Sequence, residues 1–330
     1  MVCRVLRHYG HRLPALVILW RPPESGVGAK CAGTTIKAVK ISYLNRVTLT
    51  YNNLSTLYTR MDFVTGEVLG IDKPLGWTSF DAVKRIRGAV QRRLGVRKFK
   101  VGHAGTLDPL ATGVLIVCTG RATRRIDELQ AGRKEYEAVM RLGATTPSFD
   151  LEKEIDATYP YEHVSRDLIL ETLPQFTGRI MQVPPVFSAV KIDGRRAYEH
   201  ARNGEEVALA AKPLEIDEFE LLDFDGRDMR LRIVCSKGTY IRALARDLGH
   251  ALGSGAHLTE LHRTAVGNVR VADCMSVRQA VDMIAGAPLR LPPEWLEIHP
   301  LPSRCEKESL INKAAAQEPS ALTKTLNTKP

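Results

Sequence analysis

The sequence predicts an α+β domain on a mixed, largely antiparallel sheet with flanking helices. Two observations carry that expectation. Runs with the two-residue alternation of strands and runs with the periodicity of helices are interleaved from residue 61 onward, with short connections between them. Two successive strand-like runs, 215–224 and 229–235, are joined through Asp225-Gly226, a turn pair that suits antiparallel neighbours. At 330 residues the chain is long enough for one large domain or two smaller ones.

Taken in order, Val68-Leu69-Gly70-Ile71 reads as a short strand. Ser79 is placed to cap a helix whose Val83, Ile86, Val90 and Leu94 share one face, with Lys84, Arg85, Arg92 and Arg93 on the other. The apolar run 113–119 reads as a buried strand and 123–129 as a short basic helix. Tyr136, Ala138, Met140 and Leu142 alternate with Glu135, Glu137, Val139 and Arg141, the pattern of a half-buried strand. Residues 166–176 and 195–203 read as helices, as do 239–252, with Ile241, Leu244, Ala245, Leu248 and Leu252 inward. Beyond Ile284, Pro288, Pro292, Pro293, Pro300 and Pro302 interrupt every period, so 286–330 is expected to be an irregular, disordered tail.

The net charge is +10, but its location matters more than its size. Residues 1–60 carry nine Lys/Arg and one acid, and they lack sustained periodicity. The character changes at Met61, the expected start of the native domain, so 1–60 is read as a basic extension outside it. Between residues 84 and 134, thirteen Lys/Arg face only Asp108, Asp127 and Glu128. A basic surface of that kind suits a polyanionic ligand. Six scattered cysteines with no C-x-x-C pair give neither a zinc-site spacing nor a disulfide framework, so the expected compartment is the cytosol. Cys118 and Cys235 sit in apolar runs and read as buried thiols. The apolar run 13–20 is too short to span a membrane.

One run carries the chemistry: Gly102-His103-Ala104-Gly105-Thr106-Leu107-Asp108-Pro109-Leu110-Ala111-Thr112-Gly113, leading straight into the apolar strand. It sets one carboxylate in a loop of small residues anchored by a buried strand, a suitable seat for a nucleophile. By itself Asp108-Pro109 is an ordinary turn pair. The whole run resembles the catalytic-Asp motif of the TruB family of pseudouridine synthases. Further motifs follow in the family's order: Lys73-Pro74-Leu75-Gly76-Trp77-Thr78-Ser79, Cys235-Ser236-Lys237-Gly238-Thr239-Tyr240-Ile241-Arg242, and Leu261-His262-Arg263-Thr264. The resemblance runs from Val68 to about Met283. His262 stands where the family usually has Arg.

What the resemblance implies is specific. Residues 61–285 would form the catalytic domain of a tRNA pseudouridine(55) synthase. It would isomerise a T-loop uridine by breaking the N1–C1′ bond, turning the base and joining C5 to C1′. No redox step or group donor enters, so no cofactor and no metal are expected. Asp108 would be the catalytic carboxylate; whether it adds to the sugar or the base, or removes a sugar proton, stays open. Arg242 would keep it ionised and oriented. Tyr136, on periodicity alone an inward strand residue, would stack on the base and is the candidate acceptor of the C5 proton. Tyr240 and Leu261 would wall the pocket, with Arg124 and Asp150 as polar groups near the base and loop. His103 would fill the space left when the uridine is flipped out of its stack.

The expected partner is the T-arm of tRNA, with no membrane and no obligate protein partner, and the expected state is a monomer. Many family members carry a C-terminal PUA barrel. Too few strand-like runs follow residue 265 to build one, so none is expected. That also weighs against the family's guide-RNA-dependent relatives, which hold their guide with that domain. A tRNA-folding chaperone is the reading from another class, and an Asp108→Asn variant separates binding from catalysis. A glycosidase is remote, because Asp108 has no second acid beside it in the motifs.

Overall fold

The structure, a computed structural model, describes residues 61–299 except 189, 193, 198–199, 201–204 and 206–207. The expected N-terminal extension lies outside the described residues. One sheet of ten strands dominates. In chain order its early strands are β1 (Val68–Lys73), β2 (Val101–Ala104), β3 (Ala111–Thr119) and β4 (Lys134–Leu142). The two-residue pairs β5 (Ala144–Thr145) with β6 (Ala157–Thr158), and β8 (Lys191–Ile192) with β9 (Arg195–Arg196), form separate small ribbons. The main sheet is completed by β7 (Gly178–Gln182), β10 (Lys212–Phe224), β11 (Asp228–Cys235), β12 (Ala256–Val266), β13 (Val269–Arg270) and β14 (Met275–Ser276). The spatial order is β14-β1-β3-β12-β4-β11-β10-β7, with β2 also on β3 and β13 on β12. Among the described strand pairs of this sheet only β1 with β14 and β3 with β12 run parallel, which makes it mixed and largely antiparallel as expected.

Among the fully described elements the helices are α1 (Ser79–Leu94), α2 (Ile126–Ala131), α3 (Arg166–Thr172), α4 (Ile241–Ala251), α5 (Val277–Gly286) and α6 (Pro293–Ile298). α4 packs on one apolar cluster of the sheet, α1 and α5 on a second, and Ile126 and Leu129 of α2 on a third. Tyr136, Ala138, Met140, Ile233 and α4's Leu244 and Leu248 share one core. Leu115 and Val117 of β3 join Ile71, α1's Val83, Ile86 and Val90, and α5's Ile284 in another. Val114, Ile116 and Cys118 point the other way, which is why β3 reads as a continuous apolar run rather than an alternation.

Several boundaries differ from expectation for local reasons. Thr78, not Ser79, caps α1: it closes a capping box with Asp81, and Ser79 is instead buried in the first turn. The basic helix expected at 123–129 breaks at Arg125 into a 3₁₀ turn, Gly120–Arg125, and α2. The helix expected to run to residue 176 leaves α-geometry at Leu173–Phe176, where Pro174 offers no backbone N–H. Of the helix expected at 195–203, Arg195–Arg196 form β9 instead, Ala197 and His200 are helical as expected, and 198–199 and 201–203 lie outside the described residues.

The chain also stays ordered past residue 285. Met61 bridges Leu289, Leu291 and Trp295 pack against the α1 core, and Pro293 opens α6, where proline's fixed φ suits a first turn. The expected tail therefore does not begin at residue 286; residues 300–330 lie outside the described residues. No helix among the described residues is long and apolar enough to cross a membrane.

Candidate active site

The register of the sheet assembles the site. β12 lies between β3 and β4, with Leu261 opposite Ala111 on one side and Ala138 on the other. Arg263 likewise faces Gly113 and Tyr136. β11 ends at Cys235 opposite Lys134, and the segment after it enters α4 with Arg242 in the first turn. The loop before β3, the start of β4, the middle of β12 and the start of α4 thus converge on a cleft of about 480 Å³. Asp108, Lys134, Tyr136, Tyr240, Arg242 and Leu261 are among the residues that line it.

The loop bearing Asp108 is pinned by three elements. Arg263, fully buried in β12, donates from Nε to the Val114 carbonyl (2.7 Å) and from Nη2 to that of Gly105 (3.0 Å). Gly113 permits this approach: its φ is +99°, and an added Cβ would sit 2.2 Å from the Arg263 carbonyl oxygen. From the β1 end, the buried ammonium of Lys73 donates to the carbonyls of Pro74 (2.9 Å), Trp77 (2.6 Å) and Pro109 (3.4 Å). Burial pulls its pKa down to about 8, against the opposing pull of the Asp108 charge. From α1, the Ser79 hydroxyl donates to the Leu107 carbonyl (3.0 Å) and accepts from the Leu107 N–H (2.8 Å). A loop held this way has little freedom to displace its carboxylate.

Arg242 supplies the counter-charge. It is 5 % exposed, and its three nitrogens are all engaged. Nε donates to Asp108 Oδ2 at 2.9 Å, Nη1 to the Ser148 carbonyl at 3.1 Å, and Nη2 to the Phe187 carbonyl at 2.9 Å. Asp150 Oδ2 lies 3.7 Å from the same Nε, so the buried cation sits between two carboxylates. Asp108 keeps 39 % of its side chain exposed while Asp150 keeps 8 %, so of the two only Asp108 is open to a ligand. Helix α4 is itself fixed at its start: Gln182 Oε1 accepts from the Tyr240 N–H (2.9 Å), and Gln182 Nε2 donates to the Tyr240 carbonyl (3.1 Å).

Tyr136 is buried in β4, and that burial raises its phenol pKa. Tyr240 is shifted the same way for the same reason, so both rings meet a ligand as neutral phenols. Lys134 lies two residues before Tyr136 on the same inward face. It donates to the Gln130 and Gly132 carbonyls, and burial pulls it down to about 8.

Of the residues singled out in the sequence, Asp108, Tyr136, Tyr240, Arg242 and Leu261 line the cleft. Asp150 joins Asp108, Arg242 and Leu261 around a small adjoining cavity. His103 and Arg124 do not line the cleft. His103 pairs with Val117 between β2 and β3, and burial together with the Arg263 charge lowers its pKa, so it is neutral near pH 7. Arg124 is exposed on the 3₁₀ turn after β3. His262 is spent within the sheet, its Nδ1 2.8 Å from Thr112 Oγ1. The sequence reading did not assign the anchoring roles of Lys73, Ser79, Lys134, Gln182 and Arg263. For Lys134 a signal existed, since the β4 alternation puts it on the Tyr136 face. Among the described residues no group of three or more His, Cys, Asp or Glu is arranged to hold a metal.

Residues 91–241 match the family model described as TruB family pseudouridylate synthase (N terminal domain). Residues 242–288 match that of the tRNA pseudouridylate synthase B C-terminal domain. The chain belongs to the TruB family. It is 62 % identical over 253 residues to the tRNA pseudouridine synthase B of Phocaeicola vulgatus, covering 77 % of this chain and 100 % of that protein. It is 65 % identical over 219 residues to the protein of the same name from Bacteroides thetaiotaomicron, covering 65 % of this chain and 91 % of the other. Among solved structures, a Cbf5–Nop10–Gar1 complex contains a chain that is 32 % identical, with a TM-score of 0.50, over 67 % of this chain and 55 % of that one. The TruB N- and C-terminal segments share one sheet here. β12 comes from the second and lies between β3 and β4 of the first, and the Arg242–Asp108 ion pair joins the two.

Proposed function

We propose that this TruB-family chain is a tRNA pseudouridine(55) synthase, acting in the cytoplasm as a monomer without an obligate protein partner. The observation that carries the reading is one partly open carboxylate, Asp108, on a loop fixed from three sides. It is hydrogen-bonded to a buried arginine at the floor of a cleft large enough for a nucleoside. High identity to proteins named tRNA pseudouridine synthase B supports the substrate.

In this reading the target uridine is flipped from the T-loop into the cleft at a cost of a few kcal/mol. Asp108 takes part directly in breaking and remaking the bond at C1′, and Arg242 holds its charge in place while the base turns. Tyr136, Tyr240 and Leu261 bound the space in which the base rotates. Tyr136 enters protonated, so it serves the C5 proton by relay: its oxygen accepts that proton as its own passes to a water molecule in the open cleft, and the label leaves to solvent. The test is release of tritium from an unmodified tRNA transcript labelled at C5 of uridine. The proposal expects a single tritium lost per transcript, without any added RNA or protein. No release, or release only when a guide RNA is supplied, would refute it.

A further inference from the structure

The turn after β1 and the solvent face of α1 enclose a second concavity, an open groove of about 630 Å³ that shares no residue with the cleft. Trp77, Lys84, Arg85, Arg87, Gly88 and Arg92 are among its lining residues. Lys84, Arg85, Gly88 and Arg92 fall within an arc of roughly 120° at 3.6 residues per turn. That arc is opposite the buried stripe of Ala82, Val83, Ile86, Ala89 and Val90.

None of the four cations makes an ion pair among the described residues. The acid of the groove, Asp81, has its carboxylate engaged in the capping box with Thr78. Arg87 lies 5.3 Å over the exposed ring of Phe80. Lys84 to Arg92 spans about 12 Å of helix, the axial reach of roughly three or four phosphates of one strand.

Gly88 is the second observation. Its backbone is helical, and a Cβ there would meet nothing closer than Arg92 Nη1 at 3.4 Å, so no steric demand excludes alanine. The helix nevertheless carries, mid-way along its solvent face, the residue least favourable to helix after proline. What glycine provides is a low floor on which a ligand can approach the helix backbone. The groove also adjoins the catalytic loop. Gly76, which lines it, donates its N–H to the carbonyl of Pro109, which lines the cleft, at 2.9 Å.

We propose that this groove binds the sugar–phosphate backbone of the RNA whose target nucleotide occupies the cleft, with Trp77 offering a face to a base or ribose. This rests on the synthase reading above. The arginines and lysine position the strand across the outer side of the Pro109 turn and carry no part of the chemistry.

The test uses the full chain and an unmodified tRNA transcript, with affinity measured between about 50 and 200 mM salt. An Arg85→Ala/Arg92→Ala variant is expected to flatten the slope of log affinity against log salt by about 0.7–0.9 per contact removed. KM should rise while kcat at saturating RNA is unchanged. Gly88→Gln fills the floor, leaves every charge, and should also raise KM alone. Thermal melts check the fold; if the double variant melts early, Arg85→Gln is measured instead, with half the slope change expected. A wild-type slope in the arginine variant, or an unchanged KM in Gly88→Gln, overturns the proposal. Conversion scored in the same samples separates the two readings. Conversion with unaltered slopes removes the groove and keeps the synthase; flattened slopes without conversion by wild type remove the synthase and keep the groove.

Discussion

Replacing Arg242 by lysine keeps the charge beside Asp108 but removes the planar fork, which makes it a test of geometry rather than of charge. Three acceptors share that guanidinium: Asp108 Oδ2 at 2.9 Å, the Ser148 carbonyl at 3.1 Å and the Phe187 carbonyl at 2.9 Å. One ammonium on a shorter stem does not reproduce three directions at once. If it stays on the two carbonyls, Asp108 loses a charge-assisted hydrogen bond worth about 1.5–3 kcal/mol, or roughly 10- to 150-fold in kcat. If it follows Asp108, the buried Ser148 carbonyl is left unpaired at a cost of about 1–3 kcal/mol of stability. Single-turnover conversion, filter binding and thermal melting on the same preparation tell these apart. The expected result is a fall in rate or in melting temperature with little change in tRNA affinity, because Arg242 is buried beneath the carboxylate. A variant with wild-type rate and wild-type melting would refute the claim that the guanidinium fork positions Asp108.

Gly113→Ala should destabilise the fold by at least about 1–3 kcal/mol, because its Cβ would lie 2.2 Å from the Arg263 carbonyl oxygen at a φ of +99°; a wild-type urea midpoint would contradict this. Gly88→Ala should do the reverse, stabilising α1 by about 0.5–1 kcal/mol, which differential scanning fluorimetry would register as a rise of a few degrees. Stability should also climb as pH rises from about 8. Lys73 and Lys134 are pulled down to about 8 from the ordinary 10.5, so above pH 8 the unfolded chain binds more protons than the folded one. Cys118 and Cys235, pushed up from 9.0 to about 11, and Cys274, pushed up from 9.0 to about 12, oppose this once unfolded thiols begin to ionise, so the melting temperature should pass through a maximum near pH 9 and then decline. A steady fall in melting temperature from pH 7.5 upward would refute that balance.

The elements built on periodicity were legible. The inward residues 136, 138, 140 and 142 and the apolar stripe of α1 are buried as their spacing predicts. Asp108 was legible as a carboxylate on a glycine-bounded loop, and Arg242 entered through the family motif rather than through any local signal. What stayed hidden depends on contacts distant in sequence. Nothing near Arg263 announces that its side chain will cross to a loop some 150 residues away. Ser79 looked like a cap because caps are local chemistry; its true partner, Leu107, is 28 residues on. The cleft position of Lys134 was readable from alternation, yet its three-dimensional neighbours were not. His103 and Arg124 came in through resemblance, and the described chain holds both outside the cleft, where only RNA binding itself can assign them a role.

The most direct test of the central claim maps pseudouridine at single-nucleotide resolution in an unmodified tRNA transcript, using wild type beside Asp108→Asn. Wild type should convert the T-loop uridine at position 55, and the variant should bind the same RNA and convert nothing. Conversion by Asp108→Asn at the wild-type rate, or conversion of a different uridine by wild type, would contradict the account.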